Sequence, residues 1–204
     1  MDLVVATKNK KKLQEIKEIL KGLDLKITSL VNYPKTPRIV ENGKTFRENA
    51  IKKAVTIAKF TRKLSMGEDS GLCVDALGGK PGVYSARFSG KPAGRTGRDK
   101  SDEKNNQKLL KMLKGLPLKK RKAHYHCAVA LADKDGLVGV AEGTCGGLIG
   151  FEKRGNFGFG YDPLFLIPRY KKTFAELGPR VKHRMSHRFR ALLETKKLLA
   201  TYLK

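Results

Sequence analysis

The chain predicts an α/β fold with a mixed sheet, on three observations. Short apolar runs alternate with segments whose apolar residues recur every three and four positions. Glycine, proline and helix-capping residues mark the changes of period. No internal repeat and no long linker divides the 204 residues, so a single domain over 1–204 is expected.

Each element follows in order. Leu3 to Ala6 is an apolar run with the signature of a buried strand. From Lys10 the period changes, and Leu13, Ile16, Ile19 and Leu20 make the apolar face of a helix that closes at Gly22. Leu25 to Val31 reads as a second strand, and Pro34 and Pro37 then open a loop carrying Glu41-Asn42-Gly43. Thr45 with Glu48 three residues on has capping-box spacing, and Phe46, Ala50, Ala54, Ile57 and Ala58 line one face of the helix behind it. A turn is expected at Met66-Gly67, ahead of Glu68-Asp69-Ser70-Gly71 and the apolar Leu72-Cys73-Val74. Gly78 to Gly82 is a tight loop, and Gly90 to Gly97 reads as mobile. Asn105 to Leu116 is an amphipathic helix stopped by Pro117. Tyr125–Ala132 and Leu137–Cys145, joined by Asp133-Lys134-Asp135-Gly136, form a hairpin. A glycine-rich loop, Gly155 to Gly160, precedes Tyr161-Asp162-Pro163 and the apolar run Leu164–Ile167. The last helix starts at or near Ser186.

Composition narrows the classes of function. No stretch approaches the roughly eighteen apolar residues that a membrane span needs, and the N-terminal residues lack the pattern of a signal peptide. Three separated cysteines without a CxxC argue against a disulfide framework or a zinc knuckle, and a reduced, cytoplasmic protein is expected. The net charge of +25 favours polyanions such as nucleotides and nucleic acid. The rival to a nucleotide enzyme is therefore a nucleic-acid-binding protein. Residues 91–122 hold twelve basic side chains but no aromatic to stack on a base, so nucleic-acid binding is expected only as a weak by-product of charge.

Four segments carry residue types suited to nucleotide chemistry. Thr7-Lys8-Asn9-Lys10-Lys11-Lys12 lies between a strand and a helix, where free N–H groups, a hydroxyl, an amide and an ammonium can cradle phosphate, though without the Walker spacing. Taken alone, it reads more readily as a capped, lysine-rich surface helix. Glu68-Asp69-Ser70, with Glu41 and Glu48 upstream, offers the oxygen ligands that suit Mg²⁺. Phe157-Gly158-Phe159-Gly160-Tyr161-Asp162-Pro163 combines aromatics with glycines that admit a planar ligand. Lys182 to Arg188 places Lys182, His187 and Arg188 as donors for base oxo groups or phosphate. His124 and His126 lack a third metal ligand nearby.

These segments, in this order, resemble the inosine triphosphate pyrophosphatase family, the Ham1-like pyrophosphatases of non-standard purine nucleotides. The matching pieces include Ala6 to Lys12 with Glu15, Thr45 to Lys53, Glu68 to Leu72, Ala76 to Arg87, Gly158 to Pro163 and Ser186-His187-Arg188. The resemblance implies an elongated mixed sheet with flanking helices, two lobes around a central nucleotide cleft, and a homodimer. It implies Mg²⁺-dependent hydrolysis of ITP, dITP and XTP to the monophosphate and pyrophosphate. Carried residue by residue, Thr7 to Lys12 and Lys53 correspond to triphosphate-binding positions, with Lys12 and Lys53 neutralising charge. Asp69 corresponds to the general base and metal ligand, Ser70 to a substrate contact, and Glu41 or Glu48 to a second metal carboxylate. Phe159, Gly160, Tyr161, Asp162, Lys182, His187 and Arg188 correspond to base-binding pieces. Lys8 stands where the family usually has glycine, and Phe189 where a small residue often follows Ser-His-Arg.

Overall fold

The computed structural model describes residues 1–90 and 98–203, and the side chains of Lys11 and residues 98–100 lie outside that description. The expected mobility of Gly90 to Gly97 falls, from residue 91 on, outside the described residues. The elements run β1 (Asp2–Val5), α1 (Lys10–Ile19), β2 (Lys26–Ser29), α2 (Phe46–Thr61), β3 (Leu64–Val74), α3 (Arg98–Met112), β4 (Lys122–Ala132), β5 (Leu137–Ile149), β6 (Phe165–Ile167), β7 (Lys172–Thr173), α4 (Phe174–Met185) and α5 (His187–Tyr202). Seven strands form one sheet in the order β2-β1-β3-β4-β5-β6-β7. β1 pairs parallel with β2 and β3, whereas β5, β6 and β7 pair antiparallel, so the sheet is mixed as expected.

Two compact units interleave along the chain. The first gathers Met1–Ser70, Cys127–Thr144 and His187–Lys204, and the second Gly71–His126 and Cys145–Ser186. Each has its own apolar core. Leu3, Val5, Ile16, Leu20, Met66, Val129 and Leu192 are central to the first. In the second, Tyr125, Phe165 and Phe174 cluster with ring centroids 4.6 to 6.1 Å apart, over Leu72, Leu109 and Leu113.

Local expectations differ from the structure where one residue type serves two purposes. No turn interrupts Met66-Gly67, because β3 runs straight through it. Gly67 is there for approach: a Cβ would lie 2.1 Å from the Ala50 carbonyl oxygen and 2.6 Å from the Ala54 nitrogen of α2. β2 ends at Ser29, where Leu30–Asn32 turns as a short 3₁₀ segment and Asn32 Oδ1 accepts the Ser29 N–H. α3 begins at Arg98 rather than Asn105, since residues 98–104 contain no apolar side chain to reveal a period. It ends at Met112, with Gly115 at a positive φ before Pro117.

α4 is absent from the sequence reading. Gly178, at φ 74° and ψ 174°, and Pro179 break its periodicity. Its start is nonetheless encoded by a reciprocal capping box in which Thr173 Oγ1 accepts the Glu176 N–H and Glu176 Oε2 accepts the Thr173 N–H.

The Gly67 contact yields a direct test. Gly67→Ala forces backbone apart and should cost about 3 kcal/mol, lowering Tm by roughly 6–12 °C for a chain of this size. Gly146→Ala, at an ordinary φ with nothing within 4 Å of the new Cβ, should change stability by less than about 0.5 kcal/mol. Thermal melts of the two variants check the contrast.

Candidate active site

The site residues of the first unit gather around Glu68, Asp69 and Ser70, near the middle of β3. Consecutive strand residues alternate direction, so Asp69 points away from its two neighbours. On its side, α2 presents Asn49 and Lys53, one turn apart and both buried. Lys53 Nζ donates to Asp69 Oδ1 at 2.9 Å, to Glu41 Oε2 at 2.8 Å and to the Glu68 carbonyl at 3.1 Å. An ammonium has three N–H groups, and all three are engaged here. Asn49 Nδ2 donates to Asp69 Oδ2, while its Oδ1 accepts the Gly43 N–H at 2.8 Å. That second bond, with Lys52 Nζ on Asn42 Oδ1, fastens the loop carrying Glu41 to α2.

The geometry separates Glu41 from Glu48. Glu48 caps its own helix, with its N–H on Thr45 Oγ1 and its Oε2 accepting from the Lys44 N–H at 2.9 Å. Glu41 and Asp69 instead converge on one cation, the Lys53 ammonium. Two carboxylates around a single positive charge are an oxygen donor set fit for a hard divalent ion completed by water and phosphate. Among the described residues, no three His, Cys, Asp or Glu side chains form a metal cluster by themselves. Burial raises the pKa of Asp69; the Lys53 charge opposes that rise and the Glu41 charge adds to it.

On the other side of β3 lies a buried charge cluster. Arg188, the second residue of α5, donates through Nε to Glu68 Oε1 at 3.0 Å and through a terminal nitrogen to Glu15 Oε2 at 2.6 Å. Its side chain is 3% exposed and that of Glu68 4%. Lys12 Nζ reaches the same Glu68 oxygen at 3.2 Å, and Ser70 Oγ donates to it at 3.1 Å. Burial works to raise the pKa of Glu68, but Arg188 and Lys12 overturn that and hold it well below the usual carboxylate range. Arg188 thus gives donors to two carboxylates, whereas the sequence reading gave them to a base. Lys53, expected at phosphate, gives its donors within the protein to Asp69, Glu41 and the Glu68 carbonyl.

The loop before α1 is shaped by its own polar residues. Thr7 Oγ1 accepts the Asn9 N–H, and Asn9 Oδ1 accepts that of Lys12, so Asn9 caps the helix. Lys8 and Lys10 are exposed, and Lys8 keeps a negative φ, so its Cβ brings no backbone strain. The Lys11 side chain is outside the described ones. The Lys12 side chain is partly open, at 20% exposure, and its ammonium donates to Glu68 Oε1.

The second unit brings Phe159, Gly160, Tyr161, Asp162 and Lys182 together. Asp162, fully buried, accepts from Lys182 Nζ at 2.5 Å, from the Phe159 N–H and from the Tyr125 hydroxyl. Lys182 Nζ lies 4.7 Å from the Phe159 ring centroid. Gly158 sits at φ 84°, and a Cβ there would meet Asp162 Oδ2 at 2.1 Å. Gly160 is held from α3, its N–H on Asp102 Oδ2 and its carbonyl accepting from Asn106 Nδ2. The Tyr161 hydroxyl is spent on the Ser85 carbonyl at 2.9 Å. His187 belongs to the first unit and is buried at the start of α5, and Phe189 is half-buried on the same helix.

Sequence reasoning left Asn49 without a role and named Glu68 only within the oxygen-rich Glu68-Asp69-Ser70 segment. Asn49 and Lys53 stand at i and i+4 on one helix face, a spacing that could have flagged Asn49. Nothing local announces the partners of Glu68, which come from α1 and α5.

Removing one member of a buried ion pair strands the other, so Arg188→Met should cost about 3–5 kcal/mol in urea unfolding. Acid titration gives a second readout. The folded pKa of Glu68 lies below its ordinary 4.5, so its stabilisation is complete above that pH and drains as the pH falls below it. Wild-type protein should lose stability over that acid range more steeply than Arg188→Met does.

Known proteins resemble the chain over nearly its whole length. A family model described as the Ham1 family matches residues 3–198. A protein of Desulforamulus reducens named dITP/XTP pyrophosphatase is 47% identical over 199 residues, covering 98% of this chain and 96% of its own. Its namesake from Shouchella clausii is 46% identical over 198 residues, covering 97% and 96%. A solved HAM1 protein from Coxiella burnetii aligns with a TM-score of 0.88 at 37% identity, over 98% of this chain and 99% of that one. With sequence and fold both matched from end to end, the chain belongs to the Ham1 family.

Proposed function

We propose that the protein is a Mg²⁺-dependent nucleoside triphosphate pyrophosphatase. It hydrolyses dITP, ITP and XTP to the monophosphate and pyrophosphate, and acts as a homodimer in the cytoplasmic nucleotide pool. The observation that carries the reading is the convergence of Glu41 and Asp69 on one cation, one residue along β3 from the Glu68–Lys12 contact. The relatives' names support the substrate class.

Magnesium held by Glu41 and Asp69 would supply positive charge to the phosphate oxygens. The chain's own residues do the rest. Asp69, fixed by Asn49 and Lys53, orients a water toward the α-phosphorus and takes its proton. Lys53 keeps the two carboxylates in register. Lys12 and the N–H groups at the start of α1 take the charge that builds on the departing pyrophosphate. In the second unit, Phe159 with Lys182 behind its ring offers the aromatic surface for the base.

Asp69→Asn should fold normally and lose turnover. Retention of more than about a tenth of wild-type kcat, a barrier change of roughly 1.4 kcal/mol or less, would overturn its role. On a panel of triphosphates, kcat/KM for dITP and XTP should exceed that for ATP and GTP by at least about a hundred-fold, because a pocket built for a 6-oxo group leaves polar atoms unpaired against the 6-amino group of adenine, while guanine, which shares the 6-oxo group, is excluded at its 2-amino group. Equal rates across the panel would remove the base from the assignment.

A further inference from the structure

Glu68 is the most heavily loaded carboxylate of the first unit. Its Oε1 alone accepts from Lys12 Nζ, from Ser70 Oγ and from two nitrogens of Arg188, all at 3.0–3.2 Å. Its Oε2 is buried and has no hydrogen-bond partner. A carboxylate placed for stability alone would have both oxygens satisfied, and a buried orphan oxygen asks for a reason. The four charged groups, Glu15, Arg188, Glu68 and Lys12, balance as two anions and two cations. Arg188 and Glu68 are closed off from solvent at 3–4% exposure, while Glu15 at 14% and Lys12 at 20% are partly open. The cluster therefore ends on the one ammonium that can turn remaining N–H groups outward.

We propose that Glu68 is a positioning residue. Anchored by Arg188 and Glu15, it fixes the Lys12 ammonium and the Ser70 hydroxyl in the orientation that meets the triphosphate, and it acts through Lys12. The inference rests on the function proposed above. It is not a second base, because its Oε1 is committed to Lys12 and Arg188 and its side chain is buried. The sign of the effect on affinity separates positioning from mere support of the fold. Glu68 is an anion beside a polyanion site, so its charge weakens ground-state binding even as its geometry aids the reaction. A residue that only supported the fold would, when altered, weaken both.

The test is a double-mutant cycle on the full chain with Glu68→Gln, Lys12→Ala and the pair, read by dITP turnover and by calorimetric titration with inorganic tripolyphosphate in Mg²⁺. Glu68→Gln should lower kcat at least about ten-fold while tightening tripolyphosphate binding about three-fold. In the Lys12→Ala background the kcat effect should shrink to less than about two-fold, the mark of one residue acting through another, while the tightening, a direct effect of the Glu68 charge, should remain. Equal, additive losses in the two backgrounds, or weaker tripolyphosphate binding by Glu68→Gln, would overturn the proposal. If Glu68→Gln fails to fold, Glu68→Asp decides. It keeps the charge but withdraws the oxygens from Lys12 by one methylene, and should lose kcat about ten-fold with tripolyphosphate affinity unchanged. Unchanged kcat in Glu68→Asp would overturn the proposal. A wild-type protein that turns over neither dITP nor XTP would defeat the function reading alone, since the tripolyphosphate cycle scores Glu68 without any turnover.

Discussion

The Glu68–Arg188 ion pair is the constraint on which the arrangement of the first unit depends. It is dry on both sides, it joins the middle of β3 to the start of α5, and through Glu15 and Lys12 it also ties in α1. Charges in such a place are costly unless fully matched, and the cluster matches them two against two. Three elements far apart in the chain are thereby held in one register. A hydrophobic contact could supply comparable stability, but it has no direction and would not aim an ammonium.

β3 divides two kinds of work by the alternation of its side chains. Glu68 and Ser70 face the charge cluster, while Asp69 faces α2, with Lys53 and Asn49 as its partners. Such proximity needs α2 to lie against the strand backbone, which only a glycine at 67 permits. Burial raises both neighbouring carboxyls, and their charged partners set the two apart in acidity. Glu68 meets two cations and is held far down; Asp69 meets one cation and another carboxylate and is raised.

The second unit uses its buried charge differently. Asp162 collects a lysine, a tyrosine hydroxyl and a backbone N–H, and so shapes the Phe159–Gly160 loop from inside. Asp102 and Asn106, one turn apart on α3, grip both polar groups of the Gly160 peptide. The loop is glycine-rich yet closely tethered, because its glycines serve positive φ angles and close approach to Asp162.

What the sequence by itself determined is whatever nearest neighbours dictate. Period and capping located β1, α1, α2 and the β4–β5 hairpin, and motif order pointed to the family. Local pattern missed α4, whose Thr173–Glu176 box was legible but whose Gly178-Pro179 step hid the period, and it mistook Gly67 for a turn because a glycine needed for packing looks the same in sequence as one needed for bending. Only the tertiary structure decided which carboxylates meet. Glu41 and Glu48 are equivalent as letters; one is consumed by its own helix cap and the other is brought to Asp69 by a loop docked on Asn49. Arg188 and Lys53 read as open donors until the fold supplied Glu15, Glu68 and Asp69 as partners. Hydrogen-bond donors are assigned by proximity across the chain, over separations as long as the 120 residues between Glu68 and Arg188, and no local pattern carries that information.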